Sequence, residues 1–205
     1  MKYAFYFVSC LLATLLTTKA ESKFGMKKSP APPAVPEYKE ESPLPKGWPA
    51  PGPFYQVVEK NYPAYRAAFA QKDNPNGSFW KLFKHIERNQ IPMSAPVEMK
   101  LDSSDASGMK MEQMSFIYQS TEVGKTGADG DQVEVRDVPA CKVLSYAWQG
   151  PRNKESTARA REAIDEQLAK QNLKATGYRL LGYNSPFVPA SKQTHELQAL
   201  LKSGK

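Results

Sequence analysis

Cysteine and histidine are scarce in this chain, two of each in 205 residues. Cys10 lies in an apolar N-terminal run, and Cys141 lies in an apolar stretch where its expected role is that of a small buried hydrophobe. Without Cys10 no internal disulfide can form. A zinc site of the Cys/His type needs more of both residues than the chain holds. The motifs H-E-x-x-H, C-x-x-C and G-x-S-x-G are absent. Gly124-Lys125-Thr126 matches the end of a phosphate-binding loop, but the position of that motif's first glycine is Gln119, so the stretch reads as a flexible connection. Acidic residues are scattered. Basic residues are in excess, with a net charge of +7, yet they form no stripe of the kind nucleic acid selects, and no nucleic-acid partner is expected.

The ends of the chain carry clearer signals. Lys2 precedes an apolar run from Tyr3 to Leu16, and Thr18-Lys19-Ala20 is a small-residue cleavage site, so residues 1–20 read as a secretory signal peptide. The run is shorter than the roughly 20 apolar residues a spanning helix needs, so no membrane span is expected after cleavage. Residues 21–53 hold nine of the 17 prolines, among them Pro30-Ala31-Pro32-Pro33 and Pro49-Ala50-Pro51-Gly52-Pro53. Such a stretch carries neither a ladder nor a helix interior, and it reads as a disordered tether. Residues 54–205 are the size of one domain. Setting aside two Lys in residues 1–20, and five Lys against four Glu in residues 21–53, leaves that domain at about +4. That charge implies no more than a weak preference for anionic ligands. Secretion places the chain in the periplasm or cell envelope, and a monomer is expected.

Two segments 76 residues apart match. Val57 to Arg66 aligns with Val133 to Lys142, each with a strand, a basic-polar pair, an x-Pro-Ala bend and a second strand. The same shift superposes two helical patterns. The first is expected over 79–89, capped by Ser78, with Phe79, Leu82, Phe83 and Ile86 on one face. The second is expected over 154–171, with Ala160, Ile164 and Leu168 inward. Strands are expected near 55–61, 64–70, 97–101, 110–119, 132–137, 141–148, 177–183 and 194–201, the last also open to a helical reading. Two strand-strand-helix-strand-strand units predict an α+β fold: a distorted antiparallel barrel of about eight strands with two helices, curled so that few edges stay open.

Phe79 to Met99, FWKLFKHIERNQIPMSAPVEM, places an aromatic-rich helix before the turn Ile91-Pro92-Met93-Ser94-Ala95-Pro96-Val97 and a strand. With Val57-Val58-Glu59-Lys60, Pro63-Ala64-Tyr65-Arg66 and Tyr183-Asn184-Ser185-Pro186-Phe187, this order resembles the SOUL haem-binding family over about Phe54 to Leu201. The resemblance implies an α+β barrel related to gyrase-inhibitor-like ligand-binding domains, and haem or another tetrapyrrole as ligand, bound without catalysis. A binder of other amphipathic molecules, an enzyme of unidentified reaction and an envelope interaction module are the alternatives. Haem is an apolar plate with two carboxylates, so a site needs apolar walls and rim cations. Trp80, Phe83 and Met93 are the expected wall, and Arg66, Lys84 and Arg88 the expected cations. His85 falls about 110° from the centre of the apolar face at 100° per residue, a boundary position, and is the candidate iron ligand. The methionines Met93, Met99, Met109, Met111 and Met114 are lesser candidates, more simply read as core.

Overall fold

The computed structural model describes residues 36–71, 73–102, 104, 105 and 110–202. The signal peptide, the first part of the expected tether and Met109 lie outside them. The helices form where the 3.6-residue pattern is strongest. Helix α1 spans Pro75–Arg88 and α2 spans Lys154–Lys170. The first begins four residues earlier than expected. Asn74, not Ser78, is its cap, accepting from the Gly77 amide at 2.9 Å, and Pro75 supplies a preset φ in the first turn. Asn153 caps α2 in a reciprocal box with Ser156. Both helices close alike. Gln90 and Asn172 turn left-handed at φ 53°, and the Ile91 and Leu173 amides reach back to the Ile86 and Leu168 carbonyls at 2.8 and 2.9 Å.

The strands are β1 Val57–Tyr62, β2 Tyr65–Ala70, β3 Val97–Leu101, β4 Met111–Ile117, β5 Gly127–Asp129, β6 Val133–Val138, β7 Cys141–Gln149, β8 Ala175–Gly182 and β9 Thr194–Leu201. They form one antiparallel sheet in the order β1-β7-β9-β8-β3-β4-β2-β6-β5. The expected closed barrel is therefore corrected: β1 and β5 are the two ends, and no ladder joins them. A ninth strand, β5, arises in the glycine-rich connection, where three residues pair with β6 and shorten the exposed edge. Exchanging β1 with β6, β2 with β7, β3 with β8 and β4 with β9 returns the same order reversed. The same exchange relates α1, packed on β2, β4 and β6, to α2, packed on β7, β9 and β1.

Strand alternation splits the core between two faces. The helix-covered face buries Leu82, Ile86, Met99, Phe116, Trp148, Ile164 and Leu197. The opposite face buries Tyr62, Tyr65, Phe69, Ile117, Val143 and Leu181, and Trp48 packs among them at 6% exposure. Trp48 corrects the tether reading from Tyr38 to Pro53. Its ring lies 4.6 Å from that of Tyr62 and 5.2 Å from that of Tyr65. The Pro43 carbonyl accepts from the Ala95 amide, and the Lys46 amide donates to Gln119. Proline removes ladder donors, but it leaves carbonyls and ring contacts free to bind a sheet face.

The second face also holds a polar network. Arg179, 2% exposed, donates to Glu98 and the Tyr65 hydroxyl at 3.0 Å and to Gln198 at 2.7 Å. Glu196, fully buried, accepts from Tyr183 at 2.7 Å and pairs with Lys60 at 2.5 Å. Cys141, half-buried beside Arg179, has its thiol pushed above the usual range by burial.

Candidate functional site

Helix α1 presents a different surface on each flank. On one flank Phe79, Trp80 and Phe83 face Met93, Val97, Gly182 and the turn 183–187 across an apolar cavity of about 570 Å³. That is within the roughly 300–1,000 Å³ of small-molecule sites. The rim is unusually apolar for a surface: Phe187 is 95% exposed, Trp80 57% and Phe83 37%. Phe79 stacks on Phe83 and meets Phe116 edge-on, which ties the wall to the core. Glu41, from the segment before β1, holds the turn by accepting from the Ser185 amide at 2.9 Å. The expected wall of Trp80, Phe83 and Met93 is thus brought together. Phe79, Tyr183, Pro186 and Phe187 join it, of which the last three belong to the Tyr183–Phe187 motif.

The other flank is polar. A cavity of about 620 Å³ is lined by Trp80, Lys81, Lys84, His85, Arg88 and Asp129 among others. Lys81 pairs with Asp73 at 3.0 Å and Arg88 with Asp129 at 2.5 Å. Lys84 is exposed and makes no ion pair among the described residues. His85 is not a boundary residue. It is 4% exposed, and both ring nitrogens are engaged. Nδ1–H donates to the Asp129 carboxylate, which leaves Nε2 to accept from the Tyr118 hydroxyl at 2.6 Å. The His85 contact, with Arg88 beside it, holds the Asp129 carboxyl below its usual range, and burial pushes the Tyr118 phenol up to about 12. Coordination of iron by His85 requires breaking one of these bonds. The wheel misjudged His85 because β5 and the end of β4 wrap the flank of α1 that periodicity alone leaves open.

Arg66 lies in neither cavity. Its guanidinium is committed to Asp137 at 2.7 and 3.0 Å and to the Gly124 carbonyl at 2.9 Å.

The second histidine is the residue the sequence undervalued. His195 opens β9 in phase with Leu197, Ala199 and Leu201, so alternation places it on the helix-covered face. It is 6% exposed, and neither ring nitrogen has a hydrogen-bond partner among the described residues. The Gly150 backbone lies near enough to favour a proton on the ring, but not in hydrogen-bonding geometry. Burial, then the nearby Arg152 charge, pulls its pKa down to about 4, so the ring is neutral with an unused lone pair. Among the described residues no group of three or more His, Cys, Asp or Glu is placed to hold a metal ion. No described helix is long and apolar enough to cross a membrane.

Comparison with known proteins gives a family and a fold. The SOUL heme-binding protein family matches residues 53–199. No curated protein matches the chain. Among solved structures, the C-terminal domain of EcmrR superposes with a TM-score of 0.56 at 14% identity, over 73% of this chain and 99% of that one. A hydrolase from Listeria innocua superposes at 0.53 and 12% identity, over 74% and 94%. At such identities these two share the fold.

Proposed function

The chain belongs to the SOUL haem-binding protein family, and we propose that it binds haem or a related tetrapyrrole reversibly in the cleft between α1 and the turn 183–187, for buffering or carriage. One observation carries the reading: Trp80, Phe83 and Phe187 stand exposed around a single apolar cavity. Burial of one helix face does not account for Trp80 or Phe187, whereas covering them with a flat apolar ligand removes that surface from water. The apolar lining and the volume of about 570 Å³ support a macrocycle as the occupant. Lys84, unpaired among the described residues, lines the polar cavity on the other flank, one turn from Trp80, and could meet a ligand carboxylate only at that edge of the cleft; Arg66 is committed to Asp137.

A leader over residues 1–20 and a tether over residues 21–35 complete the proposal, giving a secreted or envelope protein whose ligand domain begins near Tyr38. The reversed-symmetric strand order supports descent from a duplicated unit. Superposing 55–101 on 131–183 is expected to bring Pro63 onto Pro139.

Titration of the protein with ferric haemin tests the function. A Soret band that saturates at one equivalent, and that weakens in Trp80→Ala and Phe187→Ala, supports it. A rise that never saturates removes haem as the ligand and leaves the cleft to another amphipathic small molecule.

A further inference from the structure

We propose that His195 is the residue through which this cleft coordinates the metal of a bound metalloporphyrin. The inference rests on the reading of the cleft just given. It goes beyond that reading in naming the coordinating atom's residue, on a strand and not on the family's helix.

The sheet register sets the geometry. Val97 on β3 pairs with Gly182 on β8, and Gly182 pairs with His195 on β9. The three residues form one row across the sheet, and directly paired residues face the same side. Val97 and Gly182 are the floor of the apolar cavity. His195 is the next position along that floor. The residue between has no side chain, and the Met99 methyl, 3.7 Å from where a Cβ would lie, is what occupies the space over it. His195 itself does not line the cavity, so coordination requires that methyl to move aside.

The buried Trp148 ring packs against one side of His195, with ring centroids 5.3 Å apart, and Arg152 lies near it and is weakly held. Arg152 donates to the Met99 sulfur at 2.6 Å, and the guanidinium has no carboxylate partner among the described residues. A thioether is a poor acceptor, so displacing Arg152 sacrifices little, and a ligand carboxylate offers it a better partner.

The other soft or basic ligands are committed elsewhere. His85 is bonded at both nitrogens. Tyr183 donates to Glu196 on the opposite face, and Cys141 belongs to that face too. Met93, in the cleft wall, is the competitor that remains. A buried imidazole with neither nitrogen used carries an uncompensated desolvation cost, and metal coordination supplies the missing partner.

The test compares ferric haemin with metal-free protoporphyrin IX on the full chain. His195→Ala and His195→Gln are expected to shift the Soret maximum and weaken haemin binding about tenfold or more. Metal-free protoporphyrin is expected to bind both variants within about twofold of the parent, and added imidazole to restore the parent spectrum to His195→Ala. A fold-independent check uses the chain's having two histidines. An iron–imidazole signature in untagged His85→Gln has His195 as its only source. Haemin spectra and affinities unchanged by both His195 variants overturn the inference, as does a spectral shift confined to Met93→Leu. In those cases saturable porphyrin binding leaves the reading of the cleft standing. Saturable binding of neither macrocycle overturns both.

Discussion

On the face closed by residues 38–53, Arg179, Glu98, Glu196 and Gln198 are buried, and each meets two or more polar partners. On the face closed by the helices, His195 is buried as deeply and meets none, while Trp80 and Phe187 stand in water. The charged groups under the fixed cover are all paired, although the Tyr38 hydroxyl, the Trp48 indole N–H and the Ser115 hydroxyl on that face have no hydrogen-bond partner among the described residues. Unsatisfied polar groups and uncovered aromatics, side by side under a cover with a gap, are what a ligand completes. The contrast separates two kinds of buried charge-bearing residue that composition treats alike.

The comparison breaks most violently at Arg179. Arg179→Met leaves Glu98 buried without its counter-ion, and denaturant unfolding is expected to show a loss of about 3–5 kcal/mol. A loss under about 1 kcal/mol would mean that the network is incidental to that face. Trp48→Ala comes next, at about 3 kcal/mol, because it opens a cavity among Tyr62, Tyr65 and Arg179. The same logic divides the N-terminal segment. A chain starting at residue 36 is expected to melt within a few degrees of one starting at residue 21, and a chain starting at 54 well below both.

The helix-covered face is probed by pH. His195 has its folded pKa lowered to about 4 from an ordinary 6.5, so the unfolded chain takes up the proton first as pH falls. Stability is therefore lost between about pH 6.5 and 4, and this contribution is constant below, with a total of about 3 kcal/mol. His195→Gln is expected to lack that part of the acid limb; an identical limb in the variant assigns it to other groups. The smallest effect on stability belongs to Trp80→Ala, within about 0.5 kcal/mol of the parent by thermal unfolding, since the ring is 57% exposed. The same change is expected to weaken haemin binding about tenfold. Equal losses in both measurements would make Trp80 a core residue and remove the cleft's outer wall.

Much of this was legible in the chain. Helix α2 and the strand at 97–101 lie where periodicity puts them, because their inner faces are apolar and unbroken, and 194–201, open to a helical reading, is a strand. The wall of Trp80, Phe83 and Met93 was visible because the aromatic helix and the Ile91–Val97 turn are close in sequence. Three of the failed readings have separable reasons. β5 hides in a glycine-rich loop whose pairing depends on the partner strand and not on propensity. The proline-rich segment from Tyr38 packs because Trp48 finds a sheet face, which composition cannot report. His85 exchanges boundary for burial through Asp129, which lies 44 residues away in sequence.

Hydrophobic spacing and turn chemistry act over a few residues, so the sequence by itself determined the helices, most strands and the family. Partnership of polar atoms depends on which distant strands become neighbours. Only the tertiary structure decided that His85 has two partners and His195 none, that Arg66 is committed to Asp137, and that the sheet stays open between β1 and β5. The physical reason is register: one ladder, set by the packing of whole strands, places Gly182 between the cleft and His195, and no local signal encodes that row.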